Sequence, residues 1–437
     1  MYRTLSSSSS EMKREFGSRG ELPKGKHPIG IGTLHPRFES VYGAFISNFD
    51  GGWESQGANF AAFVDGELVV DLWGGYADRS CNWTFEADTL STIYSCSKAV
   101  ASMCIAKLVE EGRISYDDCV SKYWREYGKN GKEHTTLLNV LHHQAGIPYL
   151  REEDGRVAIL KRDRITSVEK MDELVERQTP LYTPGTQSAY HPLTFGWIID
   201  GLIRRIDLKQ RNTNDFLRQE IIKEHDIELY FGGCHSVEHR LSRLTSPRNS
   251  PLVSFREWIY NPIPLTRVIV SSMNPRSTIM RSFRNVYGVK DLDVANHPDT
   301  RELCQPAYNG VSNARSIARL LDLFEGGKIV SDKTLEALRS PVIYNKYDDT
   351  QSTYLSKGHG FVYNQSPLGD WQYGHMGVGG QNLKTDTKHR ITFAYLTNGM
   401  KAGQEQSTRT MKRLEDALYA CYADMKDGED IERRKTQ

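Results

Sequence analysis

Three serines in this 437-residue chain stand three positions ahead of a lysine: Ser10 before Lys13, Ser95 before Lys98 and Ser167 before Lys170. On a helix, residues i and i+3 share one side, so the pair sets a hydroxyl nucleophile against an amine. Burial lowers the pKa of such an amine until it can take the serine proton. Ser10 closes the run Ser6 to Ser10 in a polar N-terminal stretch, and Ser167 opens SVEKMDELVER, which reads as a solvated helix. Only Ser95-Cys96-Ser97-Lys98 opens a helix that is otherwise apolar. There the free N–H groups of the first turn can also stabilise an oxyanion. The plainer reading is an N-cap serine with a snorkelling lysine behind it.

Two further stretches carry usable groups. TPGTQSAYHPLTFGWIIDGLIRR puts Tyr190 just after the turn Pro184-Gly185, at the start of an expected apolar helix. WQYGHMGVGGQ sets His375-Met376-Gly377 at a strand edge, next to Gly379 and Gly380, where bare backbone can approach a ligand. A competing motif, H-x-x-E-H, lies at His235, Glu238 and His239, the inverted arrangement of a zinc hydrolase. Gly232 and Gly233 precede it and Pro247 follows, which leaves little room for the long helix it needs. His142-His143, on a short helix, reads as structural.

The elements that must position these groups follow from periodicity. ANFAAFV and ELVVDLW flank Asp65-Gly66, a two-residue turn that tolerates positive φ, and so read as a hairpin. Helical spacing runs from Ala99 to Val109 with Gly112 as the stop. Helices are also expected at Thr135 to His143, Ser188 to Arg205, Asn214 to Glu224 and Ser312 to Phe324. Strands return in GHGFVYN, DWQYGH and RITFAYLT, before an amphipathic helix through Met411, Leu414, Leu418 and Cys421. Strands at both ends with helices between them predict one α+β domain, with an antiparallel sheet built from both termini. The expected division is a disordered tail over residues 1–28, a domain over 29–425 and a charged tail over 426–437. Within the domain, the sheet part is about 29–85 and 309–425. The helical part, about 86–308, includes a lid-like irregular loop from 245 to 308, rich in Pro, Arg, Ser and Asn.

Composition narrows the classes further. With 56 Lys and Arg against 55 Asp and Glu, the net charge is +1, so no global field holds a polyanion and nucleic acid is a poor partner. The seven cysteines are scattered, without a C-x-x-C pair or zinc-ligand spacing. No run is apolar enough for a membrane span, and the N-terminus has no signal-peptide core, which favours an intracellular, most simply cytoplasmic, location. An Arg- and Ser-containing start leaves mitochondrial import open.

In order and spacing, these blocks resemble the serine β-lactamase and penicillin-binding-protein superfamily, in particular its class C branch and the related serine esterases. The resemblance runs from about residue 35 to residue 422 and rests on AAFVDGELVVDLWGGYAD, DTLSTIYSCSKAVAS, TLLNVLHHQAGIP, the tyrosine block, NGVSNARSIARLLDLFEGG and the last strands. It implies a β-lactamase/transpeptidase-like fold. It also implies Ser95 as acyl-forming nucleophile, Lys98 as its proton partner and Tyr190 as general base. The His375-Met376-Gly377 strand would line the site, with the N–H groups of Ser95 and Val378 as oxyanion hole. No cofactor or metal is implied, and the partner is a small-molecule or peptide acyl substrate. The sequence departs from the lactamase pattern at Pro192, where Tyr-x-Asn is usual, and at His375, where Lys-Thr-Gly supplies a cation. Both departures point toward a small ester or amide rather than a β-lactam. Two other functions stay open at this stage: a catalytically silent binding or scaffold module, and the zinc hydrolase.

Overall fold

The computed structural model describes residues 27–246, 251–285, 295–402 and 408–436. The stretch expected as a disordered tail, with Ser10 and Lys13, lies almost wholly outside them.

Strand β1 (Ile29–Leu34) and helix α1 (Glu39–Asp50) lead into the hairpin of β2 (Gly57–Val64) and β3 (Glu67–Asp78). Asp65 and Gly66 take φ of 50° and 87°, so the expected two-residue turn is present. The next elements that matter for the site are α2 (Cys96–Glu110), α3 (Thr194–Ile206), α4 (Pro251–Tyr260), α5 (Pro262–Met273) and α6 (Ala314–Glu325). The chain then returns through β4 (Ile343–Asp348), β5 (Thr353–Gly358), β6 (Phe361–Gln365), β7 (Trp371–Met376), β8 (Asn382–Asp386) and β9 (Ile391–Thr397) to the terminal helix α7 (Arg409–Thr436). Nine strands run in the order β1-β3-β2-β9-β8-β7-β6-β5-β4, and Trp83–Thr84 pairs with β3 off this path. The first and last parts of the chain meet where β2 pairs antiparallel with β9, Ala61 opposite Ala394.

Every residue of β2 and β9 is buried, because both faces of the sheet are covered. Phe60, Ala62, Val64, Phe393 and Tyr395 point to one side and pack with Phe45 and Phe49 of α1 and with Met411, Leu414 and Leu418 of α7. Ala61, Phe63, Ala394 and Leu396 point to the other, into the larger core with α2, α3 and α6. The two-residue period of strands sorts them so. Helix α2 lies inside this second core and is buried nearly all round, which is why its sequence is apolar rather than amphipathic.

Three expectations need correction. The 245–308 stretch is largely helical where it is described: Pro251 and Pro262 occupy first-turn positions of α4 and α5, where a missing N–H costs nothing, instead of breaking helices. The helix expected from Ser188 starts only at Thr194, since a residue before proline, here His191, is driven to extended backbone. Helix α7 continues to Thr436 through the segment expected as a charged tail, which is rich in Glu, Lys and Arg, all good helix formers.

Candidate active site

A small three-stranded sheet sets the start of α2. Ser91–Thr92 and Leu229–Tyr230 both pair with Val311–Ser312, and the Ile93 N–H donates to the Gly310 carbonyl at 2.8 Å. Tyr94 then takes φ of 45°, a left-handed conformation costly for a bulky residue, and the chain turns sharply into the helix. Ser95 is the residue on that turn. It is the N-cap of α2, yet its side chain makes no capping hydrogen bond, so its hydroxyl is left for other work. Ser167, in the third serine–lysine match, behaves oppositely: its Oγ accepts from the Lys170 N–H at 3.3 Å and caps a helix that buries Met171, Leu174 and Val175 in the core while Lys170 stays exposed.

Lys98 is completely buried one turn on. Its Nζ donates to the carbonyls of Pro192 at 2.9 Å and Ala307 at 2.8 Å, and lies 3.4 Å from Ser95 Oγ. Burial lowers its pKa well below the ordinary lysine value. A neutral amine fits these partners well: two N–H groups satisfy the two carbonyls, and the lone pair is left for the serine hydroxyl. Pro192, whose side chain offers no amide, thus serves the site through its main-chain carbonyl.

Tyr190 precedes α3, with its hydroxyl toward Ser95 and its ring centroid 4.7 Å from Lys98 Nζ. Burial pushes its phenol far above the usual tyrosine range, so it is neutral. Its position is fixed from two sides. The Tyr190 N–H donates to Asp348 Oδ1 at 2.8 Å, and the His143 ring packs edge-on against the Tyr190 ring with centroids 4.5 Å apart. Asp348 is fully buried and also accepts from Ser188 Oγ at 2.9 Å and Lys357 Nζ at 2.6 Å. Burial alone would raise its carboxyl, but the Lys357 charge and the hydrogen bonds hold it below the usual value. Burial keeps His143 neutral, and its Nδ1 accepts from the His191 N–H at 3.3 Å. His191 in turn accepts at Nε2 from the Ile147 N–H, at 3.2 Å.

His375 sits at the end of β7, inside the sheet rather than at its edge, and is buried. Burial lowers its pKa to about 3. The ring is therefore neutral, with Nδ1–H donating to the Met376 carbonyl at 2.6 Å; Nε2 is a buried acceptor without a partner among the described residues. Cys96 Sγ donates to the His375 carbonyl at 3.3 Å and ties this strand end to α2. Burial raises the Cys96 thiol, which removes it as a rival nucleophile. A Cβ on Gly377 would lie 2.7 Å from the Ile93 carbonyl, so only glycine lets the two segments come this close. The Gly377 N–H is taken by Gln381. The Ser95 and Val378 N–H groups have no acceptor among the described residues. Beside them, Tyr94, Leu244, Ala295 and Met400 form an apolar cluster against Val378.

All the sequence-selected residues of the serine site thus fall around one point, the start of α2. Sequence reasoning missed Asp348, Lys357, Ser188 and the Ala307 carbonyl. None has a motif: Asp348 is one acid in YNKYDDTQ, and Ala307 contributes only backbone. His143 was expected to be structural, and it is what the Tyr190 ring leans on.

The H-x-x-E-H residues do not converge. They lie on the seven-residue 3-10 helix Cys234–Arg240, where positions four apart point about 120° away from each other. His235 and His239 are exposed, and Glu238 pairs with Arg301 at 2.5 Å. Among the described residues, no cluster of three or more His, Cys, Asp or Glu is arranged to hold a metal.

Comparison with known proteins adds to this geometry. A family model described as Beta-lactamase matches residues 45–418. The Mycobacterium tuberculosis protein named Esterase/beta-lactamase LipL is 30% identical over 376 residues, spanning 84% of this chain and 82% of its own. The crystal structure of a family VIII carboxylesterase superposes with a TM-score of 0.76 at 26% identity, covering 90% of this chain and 99% of that one. A penicillin-binding protein homologue from Caulobacter crescentus superposes with a TM-score of 0.74, also at 26% identity and with the same coverage.

Proposed function

Because the chain belongs to the beta-lactamase family, we propose that it is a serine hydrolase that forms an acyl-enzyme on Ser95 and acts on small carboxylic esters or amides rather than β-lactams. The observation that carries this reading is the fully buried Lys98 amine, held by two carbonyls and facing an uncapped Ser95 hydroxyl at 3.4 Å.

In this reading, neutral Lys98 takes the Ser95 proton as Oγ attacks the substrate carbonyl. The oxyanion is held by the N–H groups of Ser95 and Val378. Tyr190, a neutral phenol on Ser95, gives its proton to the departing alkoxide or amine and regains one from Lys98. It is thus a relay, and the general base is Lys98 instead of the tyrosinate that family resemblance suggests. Water then attacks the acyl-enzyme through the same groups in reverse, and Ser95 and the acid are released.

Ester preference follows from the two departures. Pro192 has no amide to hold a lactam side chain, and His375, neutral with its free lone pair, offers no cation to a carboxylate. Each such missing hydrogen bond costs about 1.5–3 kcal/mol of transition-state binding, roughly ten- to a hundredfold in rate. Among the relatives, the family VIII carboxylesterase supports the same choice, while the name Esterase/beta-lactamase LipL carries both activities. The test is kcat/KM for p-nitrophenyl butyrate against nitrocefin on one preparation. Ester cleavage should dominate, and efficient nitrocefin turnover with negligible ester cleavage would overturn the reading.

A further inference from the structure

The helical pair α4–α5 presents to solvent what a soluble protein normally buries. Leu252, Phe255 and Ile259 on α4 are 69%, 57% and 59% exposed, and Ile263, Val270 and Met273 on α5 are 64%, 61% and 77% exposed. Leu252, Phe255 and Ile259 are spaced i, i+3 and i+7, so they form one outward stripe. Trp258 and Tyr260 add half-exposed rings with a polar edge. Contiguous apolar surface of this kind marks an interaction site.

The charge here has one sign. From Pro251 to Arg284 the sequence carries Arg256, Arg267, Arg276, Arg281 and Arg284 against one acid, Glu257, in a protein of net charge +1. Glu257 is fully buried and turned inward, its two carboxyl oxygens without a hydrogen-bond partner among the described residues, and burial raises its pKa to about 7. Next to the stripe, a cavity of about 510 Å³ is lined by Trp53, Arg256, Ile259, Tyr260, Arg409 and Arg413. Neutral partners hold its guanidiniums: Arg256 donates to the Gly51 carbonyl at 2.8 Å, and Arg413 to Asn48 Oδ1 at 2.8 Å. Arg256 also stacks 4.2 Å from the Trp53 ring centroid, and Arg409 lies 5.0 Å from that of Tyr260. Among the described residues no carboxylate forms an ion pair with any of the three. Burial and the neighbouring Arg409 and Arg256 charges lower the Arg413 pKa, as expected for positive charges left uncompensated.

We propose that α4 and α5 seat this protein on the surface of an anionic phospholipid bilayer, with the apolar stripe in the headgroup region and the flanking arginines drawn to the lipid phosphates. Charge complementarity selects this occupant. A two-fold contact through the same patch would bring its arginines toward those of the second copy. A bilayer instead supplies apolar depth and negative charge together, and aromatic rings such as Trp258 and Tyr260 favour its interface. No described helix is long and apolar enough to cross a membrane, so the contact is one of lying on the surface.

The test is flotation of the full-length protein with vesicles of phosphatidylcholine alone and with about 30% phosphatidylserine, at low and high salt. The protein should float with the anionic vesicles and be released by salt. Arg409→Ala/Arg413→Ala should weaken partitioning by about fivefold per arginine. Phe255→Ser/Ile259→Ser should abolish it, and Ile269→Ser/Met273→Ser, exposed on the other helix, should weaken it independently, with circular dichroism confirming that each variant is folded. Three results would overturn the proposal: no flotation with either vesicle, flotation indifferent to salt and to the arginines, or a solution dimer that Phe255→Ser/Ile259→Ser dissociates.

Discussion

Replacing Asp348 by alanine tests how the site is held together. Asp348 accepts the Tyr190 N–H, the Ser188 hydroxyl and the Lys357 ammonium, together with the N–H groups of Thr350 and Gln351 at 3.1 Å each. With Asp348 fully buried and the Lys357 side chain 2% exposed, the substitution strands an ammonium in the protein interior. Breaking a buried pair from one side costs about 3–5 kcal/mol, a large share of the roughly 5–15 kcal/mol that holds a domain folded. The double variant Asp348→Ala/Lys357→Met removes the stranded charge and should regain about 2 kcal/mol or more. The effect depends on pH with a defined sign. The Asp348 carboxyl is held below its ordinary value in the folded protein, so its contribution is complete above the unfolded pKa of about 3.9 and fades as pH falls through the lower folded value. Urea unfolding followed by tryptophan fluorescence, at neutral pH and near pH 3, measures all of this. A neutral-pH loss below about 1 kcal/mol, or a double variant as unstable as the single one, would refute the reasoning.

Four other outcomes are expected. The acid limb of kcat/KM should reflect Lys98: activity rises as pH passes upward through its lowered pKa and reaches its plateau well below the lysine range, and His375→Gln should leave that limb in place because His375 titrates near 3. Tyr190→Phe keeps the ring against His143 but removes the relay, and should lower kcat by about 10²–10⁴ with little change in melting temperature. Activity should survive exhaustive chelation, since the proposed groups are Ser, Lys, Tyr and backbone; loss with EDTA and recovery with zinc would return attention to His235, Glu238 and His239. Lys98→Met should silence turnover while the fold persists, because the buried chain of a methionine fills the same space without an amine to desolvate.

The sheet was legible because its strands are short apolar runs and its hairpin carries Asp65-Gly66, both local signals. The serine site was legible for a different reason. Ser95 and Lys98 are three residues apart, so their meeting needs only a helix, whereas Tyr190 and His375 were recognisable only through the order of the blocks. What escaped is long-range or lies in the backbone. Asp348 reaches Tyr190 across 158 positions, and the Ala307 carbonyl reaches Lys98 across 209, contacts that leave no pattern in neighbouring residues. Pro192 looked like a loss when judged by its side chain, and its contribution is a carbonyl. The helices α4 and α5 were read as irregular because their prolines were counted as breakers, although proline is at home in a first turn.

Intact-mass analysis after treatment with a fluorophosphonate, with the adduct mapped by peptide sequencing, tests the central claim most directly. The account predicts one adduct per chain, on Ser95, absent from Ser95→Ala and strongly slowed in Lys98→Met. An adduct that maps to another serine, or labelling that persists undiminished in Ser95→Ala, would contradict it.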